Sequence, residues 1–412
     1  MTTSIAEVPE RLRVDFDVHD TALEGVVDRV NEKVAEVAAR GPVVYSTAHG
    51  GHWFVTGYEE VQEVLRNSEL FSAQKTSLLS SLGGRILPSE YDPPEHTAYR
   101  QALQPLFSPS RMKALESDIR VLTNRLLDGF ATRGECEFVA DFAHALPTSV
   151  FLKLMGWPEA DEPLFNEATD IAVRGVPGGT DEENAAAIGA AALKITGYFA
   201  NVVADRRSRT DVGDDITATV VNTPIQIDGE TRALSDDELC RMFFLLCIAG
   251  LHTVQGTLGW SMLHLSQRPE QRQRLIDDPG LLPSAVEELL RFEAAVSTGR
   301  VAKRDTELGG VQLKAGDQLL CMLAGANRDV REFPNPAELQ LDRTPNRHLS
   351  FGSGAHRCLG SHLARIEVRV ALEEIHRRIP DYRLNPEKPT IWHASQVRGV
   401  VEMPLLFTPE SA

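Results

Sequence analysis

The sequence has few basic residues relative to its acidic ones. It carries 42 lysine and arginine residues against 59 aspartate and glutamate residues, which gives a formal net charge of -17 at pH 7. A protein field of this sign repels the phosphate backbone of DNA or RNA. We therefore expect no nucleic-acid partner.

Long apolar runs and targeting signals are also missing. The longest nearly continuous apolar stretch, from Met242 to Ala249, is far shorter than the roughly 18 residues that suggest a membrane span. The first ten residues, MTTSIAEVPE, lack the charged and then apolar pattern of a signal peptide. These absences predict a cytoplasmic protein that does not bind a membrane.

Cysteines are scarce and are not arranged as a disulfide framework. Their number is odd and no pair forms a C-x-x-C motif; they are Cys136, Cys240, Cys247, Cys321 and Cys358. A reducing compartment also argues against disulfides. Cys240 and Cys247 lie in an apolar, helix-like run, where cysteine is most simply a small buried hydrophobic residue.

No proline-, serine- or glycine-rich linker and no internal repeat divides the chain. The composition, 42% hydrophobic and 25% charged, is ordinary for a globular protein with a substantial core. Because few features suggest a domain boundary, we expect residues 1–412 to form a single domain.

Local patterns predict a mainly α fold with small β-sheets, an α+β arrangement. A helix is expected near residues 21–39, and helix-type patterns dominate from Glu59 to Lys303. The pair Gly50-Gly51 separates two apolar runs at 43–47 and 52–56, which predicts a β-hairpin. A second hairpin is expected around Gly309-Gly310, and short strands are expected between residues 391 and 407.

One long helix is predicted to cross the interior. Ser235 and Glu238 have capping-box spacing, and the helical pattern then continues to about Ser266, roughly 45 Å at 1.5 Å per residue. Its middle is apolar on all sides, which is typical of a buried helix. Gly250 and the polar Thr253 lie inside this buried part, where we expect a local distortion.

The segment F-G-S-G-A-H-R-C-L-G, residues 351–360, is the most informative motif. Its glycines, Gly352, Gly354 and Gly360, allow tight turns and close approach to a flat partner. Cys358 then precedes a helical run that ends before Pro380. A thiol at a helix N-terminus faces free N–H groups and the positive end of the helix dipole, which favours the thiolate.

Two simpler interpretations of Cys358 are a small buried hydrophobic residue and, with His356 and His362, a zinc ligand. The zinc spacing matches none of the usual structural patterns. The complete ten-residue pattern instead resembles the haem-binding signature of the cytochrome P450 family. The resemblance implies heme b (iron protoporphyrin IX) with Cys358 as its iron ligand. It also implies a triangular helical prism, with haem between the long oxygen-activating helix and the helix that follows the cysteine.

Further motifs extend the resemblance along nearly the whole chain. The family's E-x-x-R pair corresponds to Glu288 and Arg291, and Arg343 completes a structural network with them. Its H-x-x-x-R motif corresponds to His96 and Arg100. By resemblance, the residues that contact the haem or its propionates are His96, Arg100, Ala249, Gly250, Arg300, Phe351, Gly352, His356 and Gly360. Buried propionates need such cationic donors.

The resemblance implies a monooxygenase that uses O2, with Thr253 and His252 as catalytic residues. The family usually has an acidic residue before this threonine, and here the position is His252. Two alternatives remain open. His252 relays protons itself, since imidazole titrates near neutral pH. Otherwise it is a polar partner of an acidic residue on a neighbouring helix, and water delivers the protons.

The expected substrate is a small, largely apolar organic molecule, with a terpenoid or an aromatic compound preferred. Its contacts are expected from Leu245, Ile248, Ala249, Val296, Gln396 and Val397. The chain is most similar to the camphor-hydroxylating branch of the family. The tyrosine that anchors the camphor ketone there falls near Gly84 here, so camphor itself is not the expected substrate.

Electrons are expected from a ferredoxin and a separate NAD(P)H-dependent reductase, since the chain has room for the haem domain alone. Basic residues on the cysteine side would steer this acidic partner; they are Arg100, Arg111, Lys113, Arg357 and Arg365. The alternative function is a haem-thiolate binding or sensing protein with weak oxygen activation, which only His252 favours.

Overall fold

The structure is a computed structural model that describes residues 2–23, 25, 29–78, 85–176, 179–209, 213–227 and 229–411. Helices dominate these residues, as predicted from the sequence. The α-helices are α1 Val30–Ala38, α2 Tyr58–Arg66, α3 Glu95–Leu103, α4 Pro109–Ala114, α5 Glu116–Asp128, α6 Ala145–Met155, α7 Glu162–Arg174, α8 Asp181–Ser208, α9 Ile216–Asn222, α10 Asp236–Ser266, α11 Pro269–Asp277, α12 Leu282–Phe292, α13 Leu323–Ala326 and α14 Ser361–Arg378.

The strands are short and form one six-stranded sheet and several small ones. In the large sheet the order is β1-β2-β3-β11-β8-β4. The strands are β1 Arg13–Val14, β2 Val43–Ser46, β3 His52–Val55, β4 Phe71–Ser72, β5 Glu135–Glu137, β6 Ile225–Ile227, β7 Glu230–Arg232, β8 Ser297–Ala302, β9 Thr306–Leu308, β10 Val311–Leu313, β11 Gln318–Met322, β12 Arg383–Leu384, β13 Ile391–His393, β14 Gly399–Glu402 and β15 Pro404–Leu406.

Both predicted hairpins are confirmed. Strands β2 and β3 pair antiparallel, with Val43 opposite Val55, and β9 and β10 pair with Leu308 opposite Val311. In the second hairpin, Gly309 and Gly310 have φ angles of 56° and 78°. This left-handed backbone is open to glycine at little cost and closes the two-residue turn.

The N-terminal helix is shorter than the predicted span of 21–39. A 3₁₀ turn covers Thr21–Leu23, and regular α-helix begins only at Val30. Residues 24 and 26–28, between these two elements, lie outside the described residues.

Helix α10 confirms the predicted central helix. The Ser235 hydroxyl accepts a hydrogen bond from the Glu238 amide at 3.2 Å, and the Glu238 carboxylate accepts one from the Ser235 amide at 2.8 Å. The helix continues through Gly250 without a break, so the expected distortion does not interrupt it. The Thr253 hydroxyl is satisfied inside the helix, because it donates to the Ala249 carbonyl at 2.8 Å.

Two described helices, Glu182–Ser208 and Asp236–Ser266, are long and apolar enough to cross a membrane by length and composition. The apolar window of α10 is 67% buried within the protein. Its apolar character is therefore accounted for by packing in the core.

A buried ion network ties α12 to the loop that precedes the cysteine segment. Glu288 and Arg291 are fully buried, and Arg291 donates two hydrogen bonds to Glu288, both 2.8 Å long. Arg343 donates to both oxygens of the same carboxylate at 3.0 and 3.1 Å. Its guanidinium also donates to the Pro334 carbonyl, as Arg291 does to the Asn327 carbonyl. The loop is thereby held by charge-assisted hydrogen bonds rather than by regular secondary structure.

Replacing Glu288 with glutamine should destabilise the fold strongly, because both arginines then lose a buried counter-charge. We expect a loss of about 3–5 kcal/mol in the free energy of unfolding, measured by urea denaturation. The control is Arg274→Gln, which removes an exposed ion pair with Asp342 and should change stability by less than about 1 kcal/mol. Equal effects of the two substitutions would contradict a special role for the buried network.

Candidate active site

The cysteine segment forms a tight loop just before α14. The Cys358 amide donates to the Phe351 carbonyl at 2.8 Å, which closes the loop. Gly354 has a φ of 72°, and a Cβ built on it would lie 2.5 Å from the Leu65 carbonyl oxygen of α2. No protein atom lies within 4 Å of a Cβ built on Gly352 or Gly360. One side of the loop therefore packs on α2, while two of its glycines leave room for close approach of a flat group.

The Cys358 thiol differs in part from the sequence-based prediction. Burial is the largest influence and raises the pKa of Cys358, while the Gly360 amide and the nearby arginines, Arg100 among them, act to lower it. The helix N-terminus thus favours the thiolate, as predicted, but it does not outweigh the low-dielectric surroundings. A metal ion bound to sulfur would supply the missing stabilisation, since a coordinating thiol is deprotonated.

Three nitrogen-bearing side chains from separate elements form a cluster. His96 lies on α3, Arg300 on β8 and His356 in the 3₁₀ turn Gly354–His356. The two imidazole rings have centroids only 4.0 Å apart. His96 Nδ1 and His356 Nε2 are buried and have no hydrogen-bond partner. The two rings therefore present unused polar atoms next to each other.

Arg300 adds a buried guanidinium to this cluster. It is 4% exposed and donates to the Gly299 carbonyl and to the Thr298 hydroxyl. Among the residues that the structure describes, no carboxylate oxygen forms an ion pair with it. Burial, followed by the positive charges of Arg100 and Arg300, lowers the pKa of His96 to about 4. His96 is therefore neutral near pH 7, and the buried charge of the cluster is that of Arg300. A buried guanidinium beside two imidazoles that can donate hydrogen bonds calls for an anionic partner.

These features fit haem with its two propionates. Cys358 is accessible to a molecule of the size of water, and yet it is surrounded by enough protein that burial raises its pKa. The thiol therefore faces a space inside the protein. Buried donors on His96, Arg300 and His356 suit carboxylates. Arg100 lies beside the cysteine loop, where its guanidinium donates to the Arg357 carbonyl. The donor set thus combines one sulfur ligand with several groups suited to carboxylates.

Helix α10 exposes one stripe in the middle of the core. Ala249 is exposed, and Thr253, one turn further, is half-buried. Leu245 and Ile248, on the same part of the helix, are also half-buried. Val296 and Val397 pair through an isolated antiparallel bridge and are half-buried as well. Apolar side chains in such positions are suited to contact an organic ligand.

The structure shows what surrounds two further predicted contact residues, Gln396 and Gly250. The Gln396 amide is already engaged, since its oxygen accepts from the Leu78 amide at 2.6 Å and its nitrogen donates to the Ser297 carbonyl at 3.2 Å. Gln396 therefore fixes neighbouring backbone and has no amide group left for a substrate. A Cβ built on Gly250 would lie 3.3 Å from the Phe151 ring, so the absence of a side chain at Gly250 lets α10 pack closely on α6. The predicted haem contact of Gly250 stays a prediction.

His252 points away from the exposed stripe of α10. It is 2% exposed, and neither ring nitrogen has a hydrogen-bond partner. Its Nδ1 lies 3.8 Å from the Asp170 carboxylate on α7, and its ring lies 5.6 Å from that of His393 on β13. Burial is the main cause that lowers the pKa of His252 to about 3. The imidazole is consequently neutral near pH 7.

Asp170 and His144 are polar groups that the sequence reasoning did not identify. His144 Nε2 lies 3.1 Å from Asp170 Oδ1, and Arg174 lies 3.8 Å from the other carboxylate oxygen. Asp170 lies on α7, and only the packing of α7 against α10 brings it to His252. The sequence contains one indirect signal for Asp170. Because His252 stands where the family usually has an acidic residue, an acidic partner of His252 is expected on a neighbouring helix.

The remaining predicted residues have mixed surroundings. Phe351 packs under the Arg365 guanidinium, 4.3 Å from its ring centroid, and Arg365 also pairs with Glu287. Arg365 is thus partly neutralised, whereas Arg357 is exposed. The zinc alternative gains no support, since His356, Cys358 and His362 form no cluster of metal-ligand atoms in the described chain. Gly84 lies outside the described residues.

Comparisons with known proteins agree with this geometry. A sequence profile of the family described as cytochrome P450 matches residues 184–379. The mycinamicin IV hydroxylase/epoxidase of Micromonospora griseorubida is 34% identical over 403 residues, which cover 95% of this chain and 97% of that protein. A steroid C26-monooxygenase of Mycolicibacterium smegmatis is 32% identical and covers 86% of this chain and 88% of its own length.

A solved structure extends the match to the whole fold. The crystal structure of cytochrome P450 CYP101C1 superposes with a TM-score of 0.86 at 30% sequence identity, over 98% of this chain and all of that one. The predicted fold and the likeness to camphor-type members are confirmed. With identities above 30% over most of its length, this chain belongs to the cytochrome P450 family, the haem-dependent monooxygenases.

Proposed function

We propose that the chain, as a single haem domain over residues 1–412, oxidises a small, largely apolar organic substrate with Cys358 as the iron ligand. The observation that carries this proposal is the exposed thiol of Cys358 just before α14, together with buried Arg300 and two imidazole nitrogens that have no hydrogen-bond partner among the described residues. A haem-thiolate sensing protein would share this site. The oxygen-side residue Thr253 favours the enzyme, because a binding protein has no need of a hydroxyl there.

Each residue around the cofactor has a distinct task in this proposal. When bound, the haem supplies O2 binding and reductive activation, which a thiolate ligand promotes. Cys358 Sγ holds the iron. His96, Arg100, Arg300 and His356 hold the propionates by charge-assisted hydrogen bonds. Ala249, Phe351, Gly352 and Gly360 form close apolar or backbone contacts with the flat ring.

Thr253 controls a proton beside the substrate. Its Oγ1 donates to the Ala249 carbonyl, so its lone pairs are left to accept from water in the exposed stripe of α10. The hydroxyl can then hold that water in place as the proton donor, while its own hydrogen stays bonded to the Ala249 carbonyl. Removing it would leave the helix intact, since the bond to Ala249 is not part of the backbone ladder.

The geometry supports the second alternative for His252, a polar partner of an acid on a neighbouring helix. Its Nδ1 faces Asp170 on α7, and the ring is buried away from solvent. With a pKa of about 3, the His252 ring is in its doubly protonated, cationic form in only a small fraction of molecules near pH 7. Asp170, half-exposed and in contact with His144, has a route to water. In this proposal Asp170 organises the water that supplies Thr253, and His252 positions Asp170.

The substrate class follows from the side chains available to it. Leu245, Ile248, Val296 and Val397 are apolar and half-buried, and Gln396 has no free amide group. A compact ligand bound mainly by apolar contact suits these positions, and terpenoids and small aromatics are of this class. The relatives named as a mycinamicin hydroxylase/epoxidase and a steroid monooxygenase also oxidise organic compounds.

Electrons would come from a ferredoxin that is reduced by a separate NAD(P)H-dependent enzyme in the cytoplasm. The protein is strongly acidic overall, but Arg111, Lys113 and Arg357 are exposed near the cysteine side. Helix α4, which carries the first two, packs against α14. A local basic surface of this kind would attract an acidic iron–sulfur protein.

The function is tested by isotope labelling. Purified holoenzyme is combined with a ferredoxin, its reductase, NAD(P)H and a panel of terpenoids and small aromatics under ¹⁸O₂. We expect one ¹⁸O atom in each molecule of product, detected by mass spectrometry, and no product without the ferredoxin. Ligands that change the haem spectrum but never give a labelled product would instead favour the sensing alternative.

The proton route is tested by coupling, measured as product and hydrogen peroxide formed per NAD(P)H. Thr253→Ala and Asp170→Asn should each raise the peroxide share severalfold, because proton supply slows relative to peroxide release. Glu167→Gln, an exposed residue on the same helix as Asp170, is the matched control and should be neutral. If Asp170→Asn behaves like the control while His252→Ala uncouples, then His252 itself relays protons.

A further inference from the structure

Three metal-ligating side chains from three separate elements converge outside the haem region. His144 immediately precedes α6, Asp170 lies on α7 and His252 lies on α10. One ligand atom from each lies within 4.8 Å of the other two. Two imidazoles and a carboxylate are a common donor set for divalent transition metals.

The burial of this cluster distinguishes it from a chance surface grouping. His252 is 2% exposed, and within the described part of the chain neither of its ring nitrogens has a hydrogen-bond partner. A buried polar ring with no partner is costly, and it points at Asp170. The His144 and Asp170 side chains are 18% and 29% exposed, so an ion can reach the cluster from solvent.

The distances are close to those of a metal site. His144 Nε2 and His252 Nδ1 lie 3.1 and 3.8 Å from the same oxygen of Asp170, Oδ1. Ligand atoms of tetrahedral zinc, with bonds of about 2.0–2.2 Å, lie about 3.3–3.6 Å apart. Both distances thus lie within a few tenths of an ångström of this spacing. The two imidazole nitrogens lie within 4.8 Å of each other and would approach further when an ion binds.

The neighbouring charges leave the required oxygen free. Arg174 forms its ion pair with Oδ2 of Asp170 at 3.8 Å, whereas both histidines approach Oδ1. Its positive charge opposes a cation, so it weakens the site without blocking it. His393, the other nearby ring, has Nε2 3.0 Å from the Val397 carbonyl and is not a member of the cluster. His252 is already neutral, which is the form that ligates a metal.

We propose that His144, Asp170 and His252 bind one divalent transition-metal ion of the Zn²⁺ class, with water completing the coordination. This ion would clamp α6 and α7 to the central helix α10. None of the three ligands is among the residues proposed to hold the haem, but Asp170 and His252 also belong to the proposed proton route. Zn²⁺ binding is measured without turnover, so its outcome is independent of the monooxygenase reaction.

The test measures Zn²⁺ binding by isothermal titration calorimetry, with haem-loaded protein that has first been treated with a chelator to remove bound metal. We expect one equivalent to bind to wild type, His144→Ala to weaken binding at least tenfold, and Asp170→Asn to do the same. Arg174→Ala should tighten binding, because it removes the opposing charge. The matched control is His49→Ala, since His49 contacts Asp17 and lies near two other histidines in a second imidazole-rich region.

X-ray absorption at the zinc edge supplies an independent measurement on the wild-type complex. Nitrogen and oxygen ligation including two imidazoles is expected, and sulfur ligation would place the ion elsewhere. The proposal is overturned if wild type binds no Zn²⁺, or if His144→Ala and Asp170→Asn bind it as tightly as wild type. It is equally overturned if only His49→Ala loses the ion. An unchanged haem spectrum in each variant excludes misfolding as the cause.

Discussion

Buried positive charge next to a single cysteine is the constraint on which the functional region depends. Arg300 is buried without a carboxylate partner, and His96 and His356 lie ring to ring with unused nitrogen atoms. Such an arrangement is unfavourable unless an anionic group completes it. Haem supplies both the anionic propionates and the metal that Cys358 needs to become a thiolate. The cofactor therefore stabilises this region of the protein as well as carrying its chemistry.

The rest of the fold supports two elements of the functional region, the cysteine loop and helix α10. The Glu288 network fixes the chain that leads into the cysteine loop, and Gly354 packs that loop on α2. On the other side, α10 passes through the core and exposes only a narrow stripe around Ala249 and Thr253. In the proposed function, this support keeps the cysteine loop and α10 in place, so that a few side chains can position the haem, the proton-donating water and the substrate.

Local sequence patterns predicted much of this structure. The glycine pairs marked both hairpins, and the Ser235–Glu238 spacing marked the start of α10, because turns and caps depend on nearby residues. The proposal that Cys358 holds the haem iron came from the motif around it and the resemblance it carries. Contacts between distant segments could not be read in the same way. Asp170 meets His252 only through helix packing, and the engagement of Gln396 depends on backbone groups far away in the chain. The net pKa direction at Cys358 also needed the structure, because burial outweighs the helix start.

The central claim is that the Cys358 thiolate holds the haem iron. The most direct measurement is the optical spectrum of the reduced protein with carbon monoxide, for wild type, Cys358→His and the control Cys136→Ala. The account predicts a long-wavelength Soret band in wild type and in the control, and a band typical of histidine ligation in Cys358→His. A long-wavelength band that persists in Cys358→His, or is absent from wild type with haem bound, would contradict it.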